Sequence, residues 1–207
     1  MRKVFPVLVA AAAFSAGGTA RAQGSPGVHE HDGFFLRMDL GFGGMSTSAS
    51  DSGLTVEMSG GASQFSVALG GAVVPNLVVA GHLWGATVSS PEVKLNGTSL
   101  GAATDATLTL SGVGVNVTYY FMPINVYLSA TPSVGVLSAR WASGQTSDTE
   151  GGFAIRLAVG KEWWVSDNWG IGLDLQYAHS SNKMKNVTNP PTWQTNWVGL
   201  AFSATYN

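Results

Sequence analysis

The chain has 207 residues, of which only 10 are basic and 12 acidic, so the charged fraction is 11%. An average soluble protein carries about 25%, and a large solvated surface is therefore hard to build here. The slight negative net charge argues against nucleic acid as a partner. The absence of Cys excludes disulfide frameworks and zinc–thiolate sites, and 27 glycines without a Gly-X-Y period exclude a collagen-like chain.

The first 22 residues have the features of a secretory signal peptide. Arg2 and Lys3 precede an apolar stretch over residues 4–13, and an A-x-A cleavage pattern ends at Ala22. We predict a signal peptide over residues 1–22, with cleavage after Ala22. A polar N-terminal linker over residues 23–32 then leads to a single domain over residues 33–207.

From Gly33 onward, apolar residues recur at every second position, which is the period of a β-strand. Outside the signal peptide, no stretch reaches the 18 or more consecutive apolar residues that indicate a membrane-spanning helix. The alternation divides the domain into eight predicted strands, which cover residues 34–43, 64–73, 77–86, 112–120, 124–136, 153–163, 169–178 and 197–206.

Short and long connections follow one another strictly in turn. The short ones have turn residues such as Pro and Asn and cover 74–76, 122–123 and 165–168. The long ones are polar and rich in Gly, Ser and Thr, and cover 44–63, 87–107, 138–150 and 179–194. This alternation is typical of an up-and-down barrel with two unlike ends. The predicted fold class is all-β, an eight-stranded antiparallel barrel.

The polar positions of the eight strands indicate which face is the interior. They hold mostly Gly, Ala, Ser, Thr and Asn, which suit a crowded interior, whereas a soluble exterior would be rich in Lys and Glu. The apolar positions then face lipid, which predicts a transmembrane barrel. Lys161, the one charge on the apolar side, lies near a turn, where its stem can extend to a headgroup. A secreted lipocalin-like barrel, with the apolar side inward, is the soluble alternative.

Aromatic residues gather near the ends of the predicted strands, as the two interfacial girdles of a membrane barrel do. One predicted girdle, beside the short turns, comprises Phe34, Tyr119, Tyr120, Phe121, Trp163, Trp164, Trp169 and Tyr206. The other, toward the long connections, comprises Phe42, Phe65, Trp141, Phe153, Tyr177, Trp193 and Trp197.

Five stretches carry a family resemblance: GFFLRMDLGFGG (33–44), PNLVVAGHLWG (75–85), VTYYFMPINVYLS (117–129), GKEWWVSDNWGIGLDLQY (160–177) and WVGLAFSATYN (197–207). Over residues 33–207 the chain resembles the small eight-stranded outer-membrane β-barrels of the OmpA/OmpX-like superfamily. The resemblance implies location in the outer membrane of a Gram-negative-type bacterium and contact with outer-membrane lipid and lipopolysaccharide. It also implies insertion by the barrel-assembly machinery. That family commonly ends on an aromatic residue, whereas Asn207 follows Tyr206 here.

The inward positions carry two basic and three acidic side chains, and charges in so narrow an interior must be paired. Eight strands leave an interior that side chains can just fill. We therefore predict a structural network that closes the lumen, with no porin-like channel. An acid–base catalytic role is not favoured, because no nucleophile accompanies the carboxylates. The predicted network comprises Arg37, Asp39, Arg156, Glu162, Asp174 and His82, with Asn125, Tyr127 and Gln176 beside them.

Two short motifs offer chemistry outside the network. His29-Glu30-His31-Asp32 has metal-ligand residue types, but its position before the first strand predicts a solvated linker, and we expect no metal and no cofactor. His179-Ser180-Ser181-Asn182 is similar to the His-x-Ser-Asn stretch of outer-membrane lipid A deacylases, in which the serine acts as nucleophile and the histidine as base. The Glu that orients the histidine in that family has no counterpart, since no acidic residue follows Asp174.

The sequence thus predicts a non-enzymatic outer-membrane barrel with a structural or surface-interaction role. Four extracellular segments, 44–63, 87–107, 138–150 and 179–194, would contact any extracellular ligand. Their mixed charge does not form a basic patch for a polyanion. The alternatives are a lipid A-modifying esterase acting through His179 and Ser181, and the secreted ligand-binding barrel.

Overall fold

The computed structural model describes residues 30–207, so the predicted signal peptide and its cleavage after Ala22 lie outside the described residues. In this range no helix is long and apolar enough to cross a membrane. Its strands, in chain order, are β1 (Phe34–Asp51), β2 (Leu54–Val74), β3 (Leu77–Ser89), β4 (Glu92–Leu95), β5 (Thr98–Ala102), β6 (Ala106–Phe121), β7 (Val126–Trp141), β8 (Thr146–Asp148), β9 (Gly152–Trp164), β10 (Trp169–Lys183) and β11 (Thr192–Tyr206).

Eight of these strands form a closed antiparallel barrel, as predicted. They are β1, β2, β3, β6, β7, β9, β10 and β11, and β1 pairs with both β2 and β11, which closes the sheet. A row of paired residues that starts at Trp169 returns to β10 only at His179, ten residues further along the strand. Such a stagger goes with strands that tilt against the barrel axis. The row runs through Trp169, Tyr206, Leu36, Leu69, Gly81, Val115, Pro132, Ile155 and His179, with Val115 opposite Pro132 in the register that continues on either side of them.

Burial alternates along the barrel strands, and the apolar side faces outward. Leu40 and Phe202 are 65% and 64% exposed, while their strand neighbours Asp39 and Ala201 are buried. The inward side holds small and polar residues together with large buried side chains such as Phe35 and Trp84, which crowd the interior. A soluble lipocalin-like barrel would have the reverse arrangement, so this alternative is wrong.

The long connections are β-structure for much of their length, and not the loops that the sequence predicts. In segment 44–63 only Ser52 and Gly53 form a turn, and β1 and β2 pair on both sides of it. The β4–β5 hairpin pairs with β2, and β8 pairs with β7. In segment 44–63 the outward positions are small or polar, so this segment lacks the outward apolar residues of a lipid-facing strand, yet the neighbouring strand supplies the backbone hydrogen bonds.

The aromatic girdle beside the short turns is present on the outward side. Tyr206 packs against Phe34 and Trp169, with ring centroids 6.1 and 5.3 Å apart, and Tyr119 packs against Phe121 at 4.9 Å. Lys161 lies over the Trp163 ring at 5.6 Å and donates to the carbonyl oxygen of Ile124.

Five predicted girdle residues do not belong to a girdle. One is Trp141, which lies on the inward side of β7 opposite buried Ala106. Tyr120 and Trp197 are 1% exposed and lie inside the barrel. Trp164 lies against the His31 ring at 4.9 Å, and Trp193 packs against buried apolar residues of the interior. Position near a strand end predicts a girdle only when the side chain is also on the outward side of the strand.

Candidate functional site

Asp39 lies at the centre of a buried polar network in the half of the interior next to the short turns. Arg37 Nε approaches its Oδ1 at 3.4 Å, and Arg156 Nη2 donates to its Oδ2 at 3.1 Å. Ser66 Oγ donates to the same Oδ2 at 2.6 Å. These residues come from β1, β2 and β9, so the network joins strands from different parts of the chain. All four are almost fully buried.

The network continues from Arg156 to the wall formed by β3, β6 and β7. Arg156 Nη1 donates to His82 Nε2 at 3.1 Å, which places the imidazole proton on Nδ1, 3.0 Å from Thr131 Oγ1. Asn116 Nδ2 donates to Thr131 Oγ1 and to Ser129 Oγ, at 2.9 and 2.6 Å. Both ring nitrogens of His82 thus have a hydrogen-bond partner within the network.

Hydroxyl groups, and not arginines, hold the other two inward carboxylates. Thr205 Oγ1 and Tyr120 OH donate to Glu162 Oε1 at 2.7 and 3.3 Å. Tyr127 OH donates to Asp174 Oδ2 at 2.6 Å. Hydrogen bonds to a charged acceptor are stronger than those between neutral groups, so these hydroxyl groups stabilise the carboxylate oxygens that they contact.

The expectation that every inward charge has an ionic partner is therefore wrong for Glu162 and Asp174. Among residues 30–207, both ion pairs within 4.0 Å involve Asp39. Besides its ion pair with Asp39, Arg37 places its guanidinium over the Tyr127 ring, 4.8 Å from the ring centroid, and it does not pair with Glu162 or Asp174. We call the set Arg37, Asp39, Ser66, His82, Asn116, Tyr120, Tyr127, Ser129, Thr131, Arg156, Glu162, Asp174 and Thr205 the turn-side network. Gln176 and Asn125, which the sequence placed beside it, are also buried.

An apolar cluster fills the half of the interior next to the long connections, and the sequence analysis missed it. Trp84 and Trp197 supply its largest side chains, and Gly112 faces the Trp84 indole so closely that a Cβ would lie 2.5 Å from a ring atom. The only available signal was the inward parity of these bulky residues. The apolar cluster comprises Met45, Ala62, Trp84, Ala86, Val88, Leu108, Leu110, Leu137, Ala154, Ala178 and Trp197.

His31 closes the turn-side end of the barrel. Its Nδ1 lies 2.9 Å from Asn207 Oδ1, and its Nε2 lies 2.9 Å from Asn125 Oδ1. The ring stacks on Tyr120 with centroids 3.5 Å apart, and its backbone N–H donates to Asn76 Oδ1 at 3.1 Å. Burial lowers the pKa of His31 below its ordinary value of 6.5.

The predicted solvated linker is therefore wrong for His31, whose side chain is fully buried. Asn207, the residue that departs from the resembled family, supplies one of its partners, and the Asn207 backbone N–H also donates to the Asn168 carbonyl at 3.0 Å. His29 lies outside the described residues. Within residues 30–207, no three acidic or imidazole side chains are grouped as a metal site would require.

A separate polar cluster lies on the outward side of β10 and β11. Tyr177 OH donates to Asn196 Oδ1 at 2.8 Å, and His179 Nδ1 donates to the same oxygen at 3.0 Å. Gln194 Nε2 donates to Ser181 Oγ at 3.1 Å. We call Tyr177, His179, Ser181, Gln194 and Asn196 the outward polar cluster.

The predicted pair His179 and Ser181 thus shares one face, but no direct hydrogen bond between them is present in the described chain. Asn196 takes the position of an orienting group for the imidazole, since its bond to Nδ1 leaves Nε2 free to accept a proton. The sequence analysis missed Asn196, because its place opposite His179 depends on the register of β10 and β11.

The sequence matches no model of a known protein family, and no curated protein sequence matches it. Solved structures match its fold. Neisserial surface protein A is 18% identical with a TM-score of 0.51, over 84% of this chain and 96% of that one. The outer membrane protein OprG from Pseudomonas aeruginosa is 12% identical with a TM-score of 0.51, over 87% of this chain and 99% of that one. The chain therefore has the fold of the small outer-membrane β-barrels.

Proposed function

We propose that this chain is an outer-membrane barrel with a closed interior, and that its outward surfaces carry a structural or surface-interaction role. The observation that carries the proposal is the filling of the interior from end to end. The turn-side network and the His31 closure occupy one half, and the apolar cluster occupies the other. A barrel filled in this way offers its outside, and not its lumen, for contact with other molecules.

The outer face supports membrane placement. Large apolar side chains such as Leu40, Leu173 and Phe202 are exposed around the barrel, and the girdle near the short turns marks one boundary of the apolar belt. Barrels of this kind have short turns in the periplasm and long connections outside. The β1–β2 and β4–β5 hairpins then project from the cell and form the contact surface.

Leu173→Arg tests the membrane placement. Arg at the bilayer midplane of a barrel costs about 2–4 kcal/mol, so the variant should be depleted from the outer-membrane fraction and from the heat-modifiable band on SDS gels. Ser48→Arg is the matched control, since it places the same side chain on the outward face of β1 beyond the belt and should behave like the parent. A Leu173→Arg variant that fractionates like the parent contradicts the placement.

Planar-bilayer recording tests the closed interior. The purified barrel should give no stable conductance steps of porin size, because eight strands leave room only for side chains. Stable porin-sized steps would contradict the proposal.

Proteolysis of intact cells tests the orientation. Added protease should cut within 138–150 or 179–194 and spare the short turn at 165–168. Cutting at that turn, with the long connections protected, would invert the orientation and remove the basis for a surface role.

A lipid A esterase is the second candidate, favoured by one observation, the 3.0 Å bond that orients His179 through Asn196. A serine, a histidine and an asparagine then lie on one outward face, at the edge of the lipid belt. Mass spectrometry of lipid A from cells that express the parent or Ser181→Ala tests it. An esterase removes an acyl chain in the parent only, whereas identical lipid A in both strains contradicts the esterase.

A further inference from the structure

An apolar groove of about 500 Å³ crosses the outward faces of β6, β7, β9 and β10. Its volume is within the range of ligand pockets, about 300–1,000 Å³. Ala130 is its smallest apolar outward side chain, flanked across the sheet by Val117 and Leu157. The groove consists of two adjacent rows of the sheet, Val117–Ala130–Leu157–Tyr177 and Tyr119–Leu128–Val159–Leu175.

The groove ends at the outward polar cluster. Tyr177 belongs to both, because its ring lines the groove and its hydroxyl donates to Asn196. A row of the sheet that starts at Trp169, beside a short turn, arrives at His179 near the long connections. From β6 to β10, each row of paired residues therefore shifts toward the long connections, and the groove follows these rows. Its upper end lies directly below His179 and Asn196.

Beyond Tyr177, the outward rows on β10, β11, β1 and β2 change from apolar to polar. The next row is His179–Asn196–Ser46–Ser59, and the one after it is Ser181–Gln194–Ser48–Glu57. Tyr177 thus marks the boundary between the lipid belt and the polar zone on this side of the barrel. The outward polar cluster is at the depth of lipid headgroups.

We propose that the groove and the outward polar cluster together bind one glycolipid of the outer leaflet, with an acyl chain in the groove and a sugar headgroup on the cluster. This inference rests on the membrane placement proposed above. Within the outward polar cluster the groups are phenol, imidazole, amide and hydroxyl, which donate to and accept from sugar hydroxyls. They carry no guanidinium or ammonium that would select a phosphate by charge.

The two parts contribute differently to binding. Lipid tails are as apolar as the groove walls, so the groove gains its preference from shape and packing and not from a hydrophobic driving force. The outward polar cluster provides the headgroup selectivity. A larger groove of about 660 Å³ near Phe65, Leu83 and Val113 has Ser and Thr hydroxyls on its outward rim, and the one amide among its lining residues, Gln64, is buried on the inward side. This groove should take acyl chains without headgroup preference.

Native mass spectrometry of the intact barrel, purified from membranes in mild detergent, tests the site. The probes are lipid A and phosphatidylglycerol of matched acyl length. The parent should retain more lipid A than phosphatidylglycerol. Asn196→Ala should lower lipid A retention several-fold and leave phosphatidylglycerol unchanged, because it removes the shared acceptor of Tyr177 and His179.

Ala130→Leu fills the groove and should lower retention of both lipids several-fold. Ala204→Leu is the matched control, since it makes the same change on the outward face of β11 away from the groove and should leave both unchanged. Heat-modifiability of each variant establishes that it is folded.

Two results would overturn the site alone: folded Ala130→Leu and Asn196→Ala barrels that retain lipid A like the parent, or a parent that retains phosphatidylglycerol equally well. A parent chain missing from the membrane fraction would contradict the proposed function and the site with it.

Discussion

The two halves of the barrel interior are filled differently: the turn-side half holds the charged network beside a small apolar group that includes Phe35 and Val78, whereas the other half holds the larger apolar cluster. In the turn-side network, Asp39 lies between Arg37 and Arg156, and each of the three carboxylates has at least one named partner. The apolar cluster at the other end packs Trp84, Leu108 and Leu110 without a salt bridge. The same strands form both halves, so the contrast comes from the inward residues alone.

This contrast separates two ways of closing a lumen. A buried charge depends on a particular partner, because the partner left behind by a deletion remains desolvated and unpaired. An apolar side chain depends on volume, because a deletion leaves a cavity that neighbours fill only in part. The turn-side half is therefore the half more sensitive to single substitutions.

Asp39→Ala should have the largest effect. It removes the carboxylate that both arginines contact, and breaking a buried ion pair costs about 3–5 kcal/mol. The free energy of unfolding, measured by urea titration of the barrel in lipid vesicles, should fall by that amount. Ser66→Ala, which removes one hydrogen bond to the same carboxylate, should cost less, about 1.5–3 kcal/mol. Equal losses in the two variants would contradict the central place of Asp39.

Leu110→Ala should have an intermediate effect, about 3 kcal/mol, from lost burial and the cavity it leaves. The matched control is Leu40→Ala, which removes the same atoms from the exposed outward face, where under the proposed membrane placement lipid refills the space. Urea titration of both variants measures the difference. A loss at Leu40 that equals the loss at Leu110 would mean that the apolar cluster is loosely packed.

The smallest effect is expected at His31 and depends on pH. Its folded pKa is lowered by burial from the ordinary 6.5. Below pH 6.5 the unfolded chain therefore binds a proton that the folded chain does not, and the stability contributed by neutral His31 is lost as the pH falls toward the folded pKa. Because one proton changes the unfolding free energy by at most about 1.4 kcal/mol per pH unit, the loss between pH 6.5 and 5.5 should lie below that limit.

His31→Gln removes the titration and keeps a polar side chain at the same place. The fall in unfolding free energy between pH 7.5 and 5.5 should be smaller in this variant than in the parent. Parallel pH profiles would contradict the role of His31 in closing the turn-side end.

The fold could be predicted because period-two alternation and turn chemistry are local signals. They place Arg37, Asp39 and Arg156 inward, where the structure has them. The β1–β2 extension could not be predicted, since Ser46, Ser48 and Ser50 show no apolar alternation and only the pairing strand reveals their structure.

The contacts by which His31 closes the turn-side end could not be predicted from the sequence for a different reason. Its partners are Asn76 and Asn125, which lie in two turns, and Asn207, which follows β11. These residues come close to His31 only when the barrel is closed. Tyr120 was assigned to the lipid boundary because it lies near a turn, although its inward parity pointed to the interior. The contact between His179 and Asn196 likewise depended on strand register.

The seam between β1 and β11 has a kinetic consequence. It pairs Leu36 with Tyr206, two residues from opposite ends of the domain, and contacts so distant in sequence make folding slow. Until β11 has been synthesised and docked, β1 and β10 each present an open edge able to pair with other chains. The barrel therefore cannot close before β11, a strand of fifteen residues, has docked, and this step determines when the sheet loses its open edges.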